Sequence, residues 1–93
     1  MKLPPDKRLL VIIPAYNEQD SLAQVISSVF DAVPEADVVV VNDGSQDDTA
    51  KVAAEVGARV INLTYNLGIG AAVQTGFILA KEEHYDYAVQ VDG

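Results

Sequence analysis

The sequence contains no cysteine and no tryptophan, a single histidine, and six basic residues against fourteen acidic ones. Without cysteine there is neither a disulfide nor a thiolate metal site. A lone His84 cannot build a histidine cluster. Any metal held here is therefore a hard cation bound by carboxylates and carbonyls, as magnesium and manganese are. The formal net charge of −8 argues against nucleic acid or an anionic membrane as a broad contact partner, since both require basic patches. Long apolar runs are also missing. Leu9–Ile13 extends for five residues, where a membrane-spanning helix needs about 20. Charges at Lys2, Lys7 and Arg8 precede that run in the manner of a secretory leader, but it stops at Pro14, short of the roughly 7–15 apolar residues of such a segment. It reads as a buried strand.

What is present suits one small α/β domain. Of the 93 residues, 49% are hydrophobic, enough for a real core in a chain near the lower end of independent domain sizes. Arg8–Ile13 is a continuous apolar run, as expected of a strand covered on both faces. Leu22, Val25, Ile26, Val29, Phe30 and Val33 then recur on one helical face, with Asp20 or Ser21 available as a cap and Pro34 as a stop. Asp37–Asn42 is a second strand. Asp43-Gly44-Ser45 is turn chemistry, and Asp47, Asp48 or Thr49 can cap a helix that runs to about Val56 and ends at Gly57. Arg59–Asn62 is a third strand, a helix follows from about Ala71 to Glu83, and Tyr87–Val91 is a fourth strand. This alternation implies a parallel sheet with right-handed crossovers and helices on both faces. Residues 1–8, with Pro4-Pro5, read as a loosely held lead-in to a domain spanning 9–93.

Polar chemistry gathers after the strands: Pro14-Ala15-Tyr16-Asn17-Glu18 after the first, Asp43-Gly44-Ser45 after the second, Asp92 after the fourth. In open α/β sheets ligands bind outside the carboxyl ends of the strands, where the strand order reverses. With strand order 3-2-1-4, all three clusters are expected to line one crevice. The ligand is not bound through a dinucleotide fingerprint, because the position after the first strand holds PAYNE rather than G-x-G-x-x-G, and no Walker sequence occurs. Gly68-Ile69-Gly70 lacks a third glycine. Carboxylates stand where a glycine-rich phosphate cradle would be, and they repel a diphosphate unless a divalent cation lies between.

Four segments in order, VIIPAYNEQDSL at 11–22, VVVVNDGSQDDTAKVA at 38–53, NLGIGAAVQTGF at 66–77 and YAVQVDG at 87–93, resemble the opening motifs of the family 2 glycosyltransferases. The similarity is greatest to the dolichyl-phosphate mannosyltransferase-like branch. It implies the Rossmann-like, three-layer nucleotide-binding half of a GT-A domain. The implied activity is metal-dependent, inverting transfer of a sugar from a UDP- or GDP-linked donor to an acceptor hydroxyl or lipid phosphate, in glycan or cell-envelope biosynthesis. Pro14, Ala15, Tyr16 and Glu18 match residues that wall the nucleotide pocket in that family. Tyr16 would lie beside the base or ribose and Glu18 would accept from a hydroxyl, although Glu18 also suits the first turn of a helix. Asp43 matches the acid that receives the base. An ionised carboxylate accepts only, so it fits uracil and guanine equally. It also suits an Asx turn before Gly44. Val41 would contact the base through its backbone or its side chain.

Asn42 departs from the pattern, since many relatives carry an acid there. Asn66-Leu67-Gly68 followed by Gly70-Ala71-Ala72 resembles the family's segment between the third strand and its helix, where small residues would let backbone approach a ligand or simply let helix and sheet pack tightly. Asp92-Gly93 matches the first two positions of a DxD-type motif, with Asp92 as a ligand to magnesium or manganese. The motif's second acid and the general base are expected after residue 93, so no catalytic residue is assigned within the chain. These residues are thus expected to bind nucleotide without turnover, in the cytoplasm, with the inner membrane face as a second setting for a longer protein. A non-catalytic binding or interaction module is the alternative. The outer edge of the fourth strand is expected to promote self-association. Asp47, Asp48 and His84 read as surface or capping residues.

Overall fold

The computed structural model describes residues 2–92. The elements alternate as β1 (Leu9–Ala15), α1 (Leu22–Ala32), β2 (Asp37–Asn42), α2 (Thr49–Glu55), β3 (Arg59–Asn62), α3 (Ile69–Glu82) and β4 (Tyr87–Gln90). All four strands are parallel, in the order β3-β2-β1-β4. The expected α/β class and strand order are both found. β2 and β3 also keep their expected bounds.

Residue parity along the strands divides the core into two halves. Leu9, Val11, Ile13, Ala15, Val38 and Val40 face α1 and α2, where Leu22, Ile26 and Ala53 meet them. Leu10, Ile12, Val39 and Val41 face α3, where Ala72 and Ala80 complete the second half. Both faces of β1 and β2 are therefore sealed, which is why neither strand shows a polar alternation. α3 lies close to the sheet at Gly76, where a Cβ would stand 2.3 Å from Cγ2 of Ile12. Any larger side chain at Gly76 would force the helix and β1 apart.

Several boundaries moved, each for a physical reason. β1 runs on to Ala15 rather than stopping at Ile13, although Pro14 has no amide hydrogen. Ile12 accepts from Val91 on the β4 side and Ala15 from Asp43 on the β2 side. Pro14 shares the parity of Ile12, so its missing donor faces the side where the β1–β4 ladder ends at Ile12↔Gln90, and no ladder bond is lost. β4 stops at Gln90 rather than Val91, and α3 starts at Ile69, two residues earlier than expected. The lead-in is held more firmly than expected: Leu3 is buried in the α1/α2 half of the core and donates its amide to Glu35.

The helix ends use backbone geometry rather than side-chain caps. Ser21 and Asp48 hold the N-cap positions of α1 and α2 without a side-chain cap bond. At the far ends, Ala58 N–H reaches Ala53 O while Gly57 N–H reaches Ala54 O, and Tyr85 and His84 do the same to Ala80 and Lys81. Both are Schellman closures, which require a left-handed residue. Gly57 supplies it after α2, and His84 supplies it after α3 at φ 60°. His84 is thus a capping residue, as expected.

Candidate functional site

A cleft of about 270 Å³ opens at the carboxyl ends of β1 and β2, lined by Pro14, Ala15, Tyr16, Glu18, Asp43, Asn66, Gly68, Ile69 and Ala72. Pro14 and Ala15 form its floor because β1 extends past the end of β4. Tyr16 stands half-exposed on the rim. Three segments far apart in sequence meet here because two crossovers return the chain to the same end of the sheet.

The rim is laced by side chain to backbone hydrogen bonds between the loop after β1 and the loop after β2. Asn17 N–H donates to Ser45 Oγ at 2.9 Å, and Gln46 N–H returns to Asn17 Oδ1 at 2.9 Å. Gln19 N–H donates to Asp47 at 3.3 Å, and Asp48 N–H returns to Gln19 Oε1 at 2.9 Å. Between them, Glu18 N–H donates to Thr49 Oγ1 at 2.9 Å, and Thr49 is fully buried. Thr49 in turn gives its amide and its hydroxyl to Asp47 Oδ1. The hydroxyl of Thr49 and the neighbouring amides hold the Asp47 carboxyl below the ordinary carboxylate range. Asn17 adopts a left-handed conformation at φ 52°, one that asparagine tolerates better than most residues.

This lacing settles two points that the sequence left open. Glu18 is not a first-turn carboxylate, since α1 begins four residues later and has no acid in its first turn. Its backbone is tied down on both sides, by Thr49 and by Ser21 and Leu22 N–H to Glu18 O. The side chain is aimed at the cleft, and none of the described residues hydrogen-bonds to its carboxylate. Asp47, read as a surface or cap residue, joins the two loops.

Asp43 is buried at the cleft's inner wall. It does not form an Asx turn; the neighbouring Asn42 braces the loop instead, with Oδ1 accepting from Ser45 N–H three residues on at 3.2 Å while its amide donates to Asn62 at 2.9 Å. The Asp43 carboxylate instead accepts from Leu67 N–H at 2.8 Å and Gly68 N–H at 2.9 Å. Gly44 makes this approach possible. It sits at φ 74°, and a Cβ there would lie 2.7 Å from Asn66 N. Gly68 and Gly70 do not serve tight helix–sheet packing, since a Cβ on either meets nothing within 4 Å. Gly68 is required by its φ of 98° at the start of α3.

Two expected site residues fall outside the cleft, and a third lies outside the described residues. Val41 is fully buried against α3 in the core, because strand parity turns it to the same face as Ile12. Its side chain is closed to a ligand. Asp92 does not line the cleft and accepts a hydrogen bond from Gln90 at 2.9 Å. Gly93 lies outside the described residues. Among the described residues no group of three carboxylate or histidine side chains could hold a metal ion. A single carboxylate does not satisfy the six or more oxygens such a cation takes, so the residues present do not by themselves fit a cation site. Conversely, Ile69 and Ala72 line the cleft and were not among the expected site residues; their place in NLGIGAA, directly after the third strand, is the signal that could have found them.

A parallel sheet with a cleft at its strand ends defines an open α/β protein, the class in which ligands bind at that place. The family model for glycosyl transferase family 2 matches residues 10–92, and the chain belongs to that family. It is 40% identical over 90 residues to an undecaprenyl-phosphate mannosyltransferase of Micrococcus luteus, covering 91% of this chain and 37% of the relative. It is 36% identical over 94 residues to a polyprenol monophosphomannose synthase of Mycolicibacterium smegmatis, covering 95% and 36%. Among solved structures, glucosyl-3-phosphoglycerate synthase from Mycobacterium tuberculosis, in complex with Mn2+, UDP and glucosyl-3-phosphoglycerate, superposes with a TM-score of 0.78 at 27% identity, covering 94% of this chain and 33% of that one. The same enzyme with Mn2+, UDP-glucose and phosphoglyceric acid gives 0.76 at 28% identity, again covering 94% and 33%. The chain thus spans little more than a third of the length of these relatives.

Proposed function

We propose that this chain is the donor-binding part of a glycosyltransferase that moves a sugar from a nucleoside-diphosphate sugar to an acceptor hydroxyl or lipid phosphate. The observation that carries the reading is the convergence of Tyr16, Glu18 and Asp43 on one cleft at the carboxyl ends of β1 and β2. Tyr16 offers a flat apolar surface to a base or ribose. Asp43 offers acceptor lone pairs to an imide N–H, and Glu18 offers an unspent carboxylate to a hydroxyl. Ile69 and Ala72 supply the apolar wall that such pockets have beside their few polar groups. The relatives named above support a nucleotide sugar as donor. Two of them carry a polyprenyl phosphate or polyprenol in their names, which favours a lipid-linked acceptor.

The solved relatives hold Mn2+ with UDP or UDP-glucose, and a divalent cation is proposed for the complete site on that support. Asp92 would be one of its ligands. These 93 residues bind donor nucleotide without completing transfer. Titration of the purified chain with UDP and GDP, each with and without manganese and followed by calorimetry, tests the reading. Saturable binding of one nucleotide is expected. Absence of binding by both, or measurable sugar transfer by the chain alone, contradicts it. The position of Asp92 outside the cleft favours a second reading, a nucleotide-binding module without catalysis, and manganese-independent binding would support it.

A further inference from the structure

Residues 64–68 form the α3-side wall of the cleft, yet they have little holding them. Tyr65, Leu67 and Ile69 are 72%, 62% and 61% exposed, so no apolar burial pins the loop. Apart from the start of α3, where Ala72 N–H reaches Gly68 O, the hydrogen bonds that tie residues 64–68 to the rest of the described residues are the two from Leu67 and Gly68 to Asp43. Asp43 itself is fixed. It directly follows β2, its amide donates to Ala15 O at 2.9 Å, and the residue is buried. We propose that Asp43 is a positioning residue: its carboxylate holds the Asn66–Gly68 loop against the strand ends and so shapes the wall against which a nucleotide binds.

A carboxylate has about four lone-pair directions, and the loop amides take two. The remaining two can still face a ligand, so anchoring and base recognition coexist on one side chain. The two roles separate experimentally. An acceptor that only reads the base matters only to nucleotides with an imide N–H. An anchor matters to every nucleotide, because the wall itself shifts when it is lost. The proposal rests on the reading of the cleft as a nucleotide site, but its structural half does not need a nucleotide.

Asp43→Asn keeps the shape and turns one acceptor into a donor that faces an N–H, so one of the two loop bonds is lost. Amide hydrogen exchange is measured on the wild type and on Asp43→Asn without nucleotide. Exchange at Leu67 and Gly68 is expected to quicken about tenfold or more, as loss of a charge-assisted bond implies, with core amides such as Ile12 and Val40 unchanged. Binding is then measured with UDP and N3-methyl-UDP, or GDP and N1-methyl-GDP. The variant is expected to bind the methylated nucleotide about tenfold more weakly than the wild type does, on the same scale of a single such bond. Unchanged exchange at Leu67 and Gly68 overturns the anchor. Changed exchange with unaltered affinity for the methylated nucleotide overturns its role in binding. If the wild type binds neither UDP nor GDP, the function reading fails, while the exchange result still decides whether Asp43 holds the loop.

Discussion

The two ends of the sheet both carry polar side chains and use them in opposite ways. At the amino end, Arg59 grips Glu83 with two bonds of 2.8 and 2.9 Å. Arg8 lies 4.1 Å over the Tyr85 ring and donates to Glu83 O, while Tyr85 Oη donates to Asp37 at 2.6 Å. Charges there meet an opposite charge, a ring, a hydroxyl or an amide, and the cluster fastens Arg8, Asp37 and Arg59, at the starts of β1, β2 and β3, to the end of α3. At the carboxyl end the acids of the cleft have no cation among the described residues; Asp43 and Asp47 bond backbone amides, and Glu18 is unspent. The amino end satisfies itself, whereas the carboxyl end is laced through its β1 and β2 loops and incomplete in its chemistry. Binding sites are built that way.

The largest expected effect breaks the carboxyl end by geometry alone. Gly44→Ala places a Cβ against the backbone of Asn66 and Tyr65 at a left-handed φ. It should cost about 2 kcal/mol or more in chemical denaturation, from αL strain plus the clash. It should also displace the Tyr65–Gly68 amide resonances. Next comes Thr49→Val, which preserves shape but strands the Glu18 amide and removes the hydroxyl bond to Asp47, leaving the amide bond of residue 49 in place. A loss of about 1–3 kcal/mol is expected for a buried unsatisfied donor, together with faster exchange at Glu18 and weaker nucleotide binding. At the amino end, Arg59→Ala removes an exposed pair and should cost only about 0.2–1 kcal/mol, with nucleotide affinity unchanged. Equal damage to binding from Arg59→Ala would erase the distinction between the two ends.

The smallest effects come from pH, and they differ by end. Burial and the Asp37 carboxylate raise the Tyr85 pKa. A group whose folded pKa is raised stabilises the fold below its unfolded value and loses that contribution as pH rises. Alkaline weakening above about pH 10 should therefore begin at the amino end, read by phenolate absorbance. Asp47 has a lowered pKa, first from the Thr49 hydroxyl, and Glu83 a lowered one, first from Arg59. Their contributions are present above the unfolded carboxylate values and fade as pH falls below about 4. Acid should thus loosen the Gln19–Asp47 lacing and the Arg59–Glu83 pair together, visible in the exchange of the Gln19 and Thr49 amides.

Much of this organisation is legible in the sequence because it is local. Apolar runs and a helical face repeat every few residues, and cleft residues such as Tyr16 and Asp43 directly follow strands. What escaped is long-range or depends on parity. Thr49 and Glu18 are 31 positions apart, and a threonine after two aspartates reads as a cap before it reads as a brace. The exclusion of Val41 from the cleft follows from its parity with Val39, a signal that was available. The role of Gly76 shows only once Ile12 is placed opposite it. Asp92 is assigned from its motif and its place after the fourth strand, and geometry sets it apart from the cleft. Even the edge of β4 needed the structure: Tyr87 and Val89 are half-exposed there, beside Leu3 and Pro4, where self-association is still proposed.

The most direct test of the account is an amide-resolved NMR titration of the chain with UDP and with GDP in the presence of manganese's diamagnetic substitute, magnesium. Perturbations confined to Ala15, Tyr16, Glu18, Asp43, Asn66, Gly68 and their neighbours, with Arg8, Asp37, Arg59 and Tyr85 silent, are the predicted result. Silence at the carboxyl end, or shifts centred on the amino end, would contradict it.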